Sequence, residues 1–141
     1  MRVVRWVMLA VGVVAIGSLG VQSTFAADMG MAAELKTAIA HAGYAEKAGA
    51  MTEVTMHLHH VLNCLVGPGD KMFDKAAGNP CQGQGNGIMP DVKKAMGEDQ
   101  EYQVAWWLAH MAGDAITMGN MAQAQAAAHI IGVQLTSMSK M

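Results

Sequence analysis

The residues best suited to chemistry in this chain are its six histidines, at positions 41, 57, 59, 60, 110 and 129. Neutral imidazole is a common ligand for zinc, copper, iron and nickel. Successive residues of a helix turn by about 100°. His57 and His60, three apart, therefore share one face and suit a single ion, with Glu53 one turn before them. His41, His110 and His129 fall on other predicted helices, and helical bundles complete metal sites with inward side chains from facing helices. The expected metal set is thus His57 and His60 at the centre, completed by His41, His110 or His129. Asp114 follows His110 by one turn, where a carboxylate can fix the tautomer of a ligating imidazole. His59 projects from the other flank. The plainer alternative is that each histidine hydrogen-bonds at the polar edge of a bundle.

The choice of ligand follows from what surrounds these imidazoles. Fourteen methionines stand against two Phe, two Tyr and three Trp. Thioethers are soft ligands for Cu(I) as well as flexible core fillers, and Met56 and Met111 sit beside His57 and His110. Copper is therefore expected first, with zinc or b-type haem as alternatives. The Glu-x-x-His pairs of di-iron bundles are absent, since Met56 follows Glu53 by three, and so is Cys-x-x-Cys-His for c-type haem. Gly83, Gly85 and Gly87 lack the Lys-Ser/Thr of a phosphate cradle, and neither Gly-x-Ser-x-Gly nor His-Glu-x-x-His occurs. A binding protein is expected, not an enzyme. With 9 Lys+Arg against 11 Asp+Glu and a net charge of −2, the chain lacks the basic surface that a nucleic-acid partner requires. Trp106 and Trp107 read as core or as a patch for a periplasmic protein partner or a second copy.

Helices must position these residues. Met31 to Leu65 contains no Pro and is rich in Ala, Leu, Lys, Glu and Met, the strong helix formers. Leu35, Ile39 and Ala42 mark one helix, about 31–48. Val54, Leu58, Val61, Leu62 and Leu65 mark a second after a turn at Gly49-Ala50. From Val66 to about Asp99, repeated Gly and Pro predict a long loop with at most a short helical turn at 91–97. Val104, Leu108, Met111 and Ala115 define a third helix, about 99–118. Gly119-Asn120 supplies a stop and an N-cap before a fourth, about 121–137. AGYAEKAGAM (42–51) and AGDAITMGNM (112–121) match at an offset of 70 residues, which suggests two equivalent αα-hairpins. The expected fold is all-α: an antiparallel four-helix bundle of two hairpins joined by a long crossover.

The ends and the cysteines bound the setting. Residues 1–26 combine two Arg, an apolar run from Trp6 to Val21 and small residues before Ala27, the pattern of a secretory signal peptide. The run is shorter than the roughly 20 residues of a spanning helix, which favours cleavage over a retained anchor. The remaining domain, 27–141, is expected to be periplasmic or secreted. It contains both cysteines, Cys64 and Cys81, and an exported two-Cys chain most simply forms one disulfide. Such a bond would tie the crossover loop to the second helix. HLHHVLNCLVG (57–67) and GNPCQGQG (78–85) together resemble a motif pair of small, exported, uncharacterised bacterial helical proteins. The resemblance agrees with export and with the Cys64–Cys81 pairing, and implies no activity.

Overall fold

Gly49 and Ala50 end one helical run and Gly119 and Asn120 another, and the chain reverses at both places. The computed structural model describes the backbone of residues 21–140, and side chains from residue 29 on. Among these residues there are five helices and no strand: α1 (Val21–Lys47), α2 (Met51–Val66), α3 (Ile88–Met96), α4 (Gln100–Thr117) and α5 (Met121–Met138). Most of the expected leader lies outside the described residues, and α1 crosses the expected cut after Ala26. No helix among the described residues is long and apolar enough to cross a membrane.

The expected four helices become five, because the crossover carries the nine-residue α3. The predicted turn at 91–97 began too late because Pro90 reads as a breaker. Pro90 is the third residue of α3, inside the first turn, where the N–H that proline lacks would have had no helical partner. Side-chain caps start two of the long helices. Asp99 accepts from the Tyr102 N–H at 3.2 Å, and Asn120 accepts from the Gln123 N–H at 3.1 Å, as its position after Gly119 predicts.

α1 packs on α2 and α5, α4 packs on the same two helices, and α3 fits against α1, α2 and α4. Much of the core is alanine. Ala42 and Ala45 of α1, Ala112 and Ala115 of α4, and Ala124 and Ala128 of α5 are all fully buried, so backbones approach closely around Leu58, Leu65, Ile131 and Leu135. The hairpin repeat is present in the helix ends. α1 stops at Lys47 and α4 at Thr117, and α2 starts at Met51 and α5 at Met121, each pair 70 residues apart. Buried positions repeat as well, with Leu58 matching Ala128, Val61 matching Ile131 and Leu65 matching Leu135. Met31, Met51, Met72 and Met111, partly buried, pack against this core. Met138 and Met89 are buried, but Met118 and Met121 flank the second turn in solvent.

The segment between α2 and α3 lies over the α1–α2 hairpin. Cys64 and Cys81 form the expected disulfide, with Cα atoms 5.4 Å apart. This bond is consistent with an oxidising compartment. Where the segment leaves and rejoins the helices, Gly67 and Gly87 lie backbone to backbone, with φ of 73° and 115°. A Cβ on Gly67 would come within 1.7 Å of the Asn86 carbonyl oxygen, so glycine is required there by both space and conformation. Glu34, only 1 % exposed, reaches from α1 to accept the Gly87 N–H at 2.7 Å. A Cβ on Gly85 would lie 2.5 Å from Asp91 Oδ2 and 2.7 Å from Glu34 Oε1, so that glycine lets the loop settle between two carboxyl groups. Burial pushes the Glu34 carboxyl up to about 7; the Gly87 hydrogen bond opposes this and the Asp91 charge adds to it.

The folded chain therefore holds a proton on Glu34 that the unfolded chain releases near its ordinary value of 4.5. Its contribution to stability is complete below that value and is lost as pH rises through about 7. Glu34→Gln is expected to flatten the dependence of urea midpoint on pH between these limits, measured by circular dichroism. An unchanged slope would show that Glu34 ionises freely.

Candidate metal centre

α1 and α2 meet through the three-residue turn at 48–50, and this places His41 opposite the His57–His60 face. The Nδ1 atoms of the three rings converge: His41 Nδ1 lies 3.0 Å from His57 Nδ1 and 3.3 Å from His60 Nδ1. One ligand nitrogen from each histidine lies within 4.8 Å of the other two, and all three side chains are half-buried. Four ligands arranged tetrahedrally at 2.0–2.1 Å around an ion stand about 3.3 Å from one another. His41 Nδ1 stands at close to this spacing from both α2 imidazoles, and the remaining edge of the triangle is within 4.8 Å.

The tautomers sharpen this. His60 Nε2 lies 2.7 Å from the Ala77 carbonyl oxygen. A carbonyl only accepts, so the neutral His60 ring carries its proton on Nε2 and points a lone pair from Nδ1 at His41. His41 Nδ1 has a close nitrogen on each side and at most one proton to share between them. A cation satisfies all three nitrogens at once. Burial, with the neighbouring His60 and His57 charges, lowers His41 to about 4. Burial first, then His60, also lowers His57, opposed by Glu53. Near neutral pH His41 and His57 are therefore uncharged, each with one ring nitrogen free of a proton, the state a metal ligand requires.

Tyr44 borders the cluster, its ring 5.6 Å from that of His41 and 5.3 Å from that of His57. Glu53 does not point its carboxylate into the site: Oε2 accepts the Gly49 N–H at 3.2 Å and helps start α2.

Two members of the expected set lie elsewhere. His110 is exposed on α4, its Nδ1 on the Trp106 carbonyl oxygen at 2.9 Å and its ring stacked 3.8 Å from Trp106. His129 of α5 pairs with Glu46 of α1, Nδ1 to Oε1 at 3.1 Å. His59 faces Asp74 in the crossover at 3.2 Å. His110 and His129 thus hydrogen-bond at a polar edge, the plainer of the two expectations, whereas His59 Nδ1 is buried and makes no hydrogen bond, with only the Asp74 carboxylate near it. The 70-residue offset also accounts for the lack, among the described residues, of a second histidine cluster at the matching place. His41, His57 and His60 correspond to Met111, Ala127 and Ile130, and Met111 and Ile130 line an apolar groove between α4 and α5.

Asn63 was missed as a site-supporting residue, although it is 1 % exposed and its amide holds the loop behind His60. A polar residue in the core register of α2, beside Leu62 and Cys64, was the available signal. The chain matches no protein-family model, no curated protein and no solved structure.

Because His41 is held below its ordinary value of 6.5, the unfolded chain binds its proton first as the solution is acidified. Stability contributed by neutral His41 is complete above about 6.5 and is lost as pH falls through about 4. His41→Gln is expected to reduce this acid-side loss, seen as a shallower fall of the thermal midpoint between pH 6.5 and 4. The same slope in wild type and variant would contradict the burial of that ring.

Proposed function

We propose that this protein is a small exported metal-binding protein, copper first, with His41, His57 and His60 as its ligands. Its role is metal handling or electron transfer, not bond-breaking catalysis. The convergence of three Nδ1 atoms carries this reading. Three imidazoles from one hairpin, half-buried beside Tyr44, leave a coordination position for exchange or for a further ligand. Among divalent first-row ions, copper binds such nitrogen donors most tightly, and zinc is the next candidate. Haem is disfavoured by space: with ring nitrogens 3.0 and 3.3 Å apart, no gap remains for a macrocycle between two axial imidazoles. The expected antiparallel four-helix bundle belongs to this reading, as the rigid support that holds α1 and α2 in register, and so does a periplasmic or secreted location.

A second reading is favoured by one observation. The groove between α4 and α5, about 360 Å³, is lined by Val104, Trp107, Leu108, Met111 and Ile130. Trp107 is 63 % exposed and Ile130 47 %. Matching positions of the first hairpin lie under the crossover segment, whereas this groove is bare. Under this reading the protein is an interaction module that docks through Trp107, and the histidines are edge residues.

Calorimetric titration with Cu(II) and Zn(II) tests the first reading. One ion per chain is expected, with His57→Ala or His60→Ala weakening binding at least about 100-fold, as loss of a direct ligand should exceed the effect of an outer partner. His110→Ala and His129→Ala should bind like wild type. No uptake, or uptake indifferent to His57 and His60, would sink it. For the second reading, sedimentation should show self-association or complex formation that Trp107→Ser abolishes and His57→Ala leaves intact.

A further inference from the structure

His60 is the triad member whose tautomer the fold dictates, and the residue that dictates it is not a ligand. The Ala77 carbonyl that accepts from His60 Nε2 at 2.7 Å belongs to an irregular stretch of the crossover with no helix or strand to hold it. Asn63, one turn of α2 beyond His60, supplies that hold. Its Nδ2 donates to the Asp74 carbonyl at 2.7 Å and to the Gly78 carbonyl at 2.6 Å, and its Oδ1 accepts the Asp74 N–H at 2.9 Å. These three bonds clamp both ends of the 74–78 stretch, and Ala77 lies between the clamped points. The disulfide from the adjacent Cys64 to Cys81 keeps the segment near α2, but fixes it four residues past Ala77. It does not set the direction of the Ala77 carbonyl.

We infer that Asn63 is the positioning residue of the histidine cluster, acting through the Ala77 carbonyl to keep the His60 proton on Nε2 and the Nδ1 lone pair toward His41 and His57. This inference rests on the metal-binding reading for its consequence, but not for its geometry. A ligating imidazole whose other nitrogen is hydrogen-bonded is oriented and made more basic, and loss of such a partner costs roughly 10–100-fold in metal affinity. Without the Asn63 clamp the stretch keeps its internal turn bonds, Ala76 N–H to Asp74 Oδ1 at 2.8 Å and Gly78 N–H to Lys75 O at 3.3 Å, but loses its tie to α2. The proton then distributes over both nitrogens of His60, and part of the population presents N–H to the metal instead of a lone pair.

The test has two parts. Long-range proton–nitrogen correlation spectra of the metal-free protein report the His60 tautomer directly. The Nε2–H form alone is expected in wild type, and a predominant Nδ1–H form would overturn the inference even if every variant proved insoluble. Asn63→Ser, which keeps a small polar group but cannot span the three bonds, is expected to show mixed tautomers and to bind Cu(II) roughly 10–100-fold more weakly. Thr37→Val is the control. It cuts a different tie to the same segment, Thr37 Oγ1 to Gln84 Oε1 at 2.9 Å, and should leave both tautomer and affinity unchanged. If Asn63→Ser binds as tightly as wild type, or Thr37→Val weakens binding equally, Asn63 has only a structural role. If wild type takes up no metal, the proposed function fails, and the His60 tautomers of wild type and Asn63→Ser still decide the positioning claim.

Discussion

The close seating of the crossover segment on the α1–α2 hairpin is the constraint on which the rest of the structure depends. Several contacts achieve it, of three kinds: backbone packing, hydrogen bonds and a disulfide. Gly67 and Gly87 meet backbone to backbone, Glu34 receives the Gly87 N–H, Cys64 is bonded to Cys81, and Asn63 clamps the stretch from Asp74 to Gly78. A long loop that simply lay in solvent would leave the α1–α2 face, with its buried Glu34 and half-buried histidines, open to water. Laid down this way it becomes a lid that also starts α3 and fixes the position of His60. The disulfide, closing a loop of 17 residues, is of a size that contributes about 3 kcal/mol by restricting the unfolded chain.

The helices beneath obey a second constraint, the small size of the residues between them. Alanine buries little apolar surface, so each contact stabilises modestly, but it lets helix axes approach closely over their whole length. In the α1–α2 hairpin the three imidazoles stand within 4.8 Å of one another. Ala42 stands 3.4 Å from where a Cβ on Gly132 would lie, so a bulkier residue there would push α1 away from α5.

The two hairpins show how one scaffold supports different surfaces. Helix ends and buried positions repeat at an offset of 70, yet the outer faces differ. The first hairpin carries the three-histidine cluster and is covered by the crossover. The second carries Trp107, Met111 and Ile130 around a bare apolar groove. The core pattern sets the fold, and the positions just outside it set what each half can bind.

Much of this was legible from local pattern. Helix periodicity located the four long helices, the turn residues fixed both reversals, and the i, i+3 spacing put His57 and His60 on one face, because rotation per residue is a local property of the backbone. The leader-like pattern and the presence of just two cysteines together predicted the disulfide. Three matters were left to tertiary structure. Pro90 looked like a breaker until its place in the first turn of α3 was known. Trp106 and Trp107 were as compatible with core as with surface. Above all, His41, His110 and His129 were equal candidates to complete the site, since each lies on its own helix and periodicity says nothing of how helices rotate against one another. Packing of α1 on α2 chose His41, and the seated crossover, through Asn63 and Ala77, decided which nitrogen of His60 faces it.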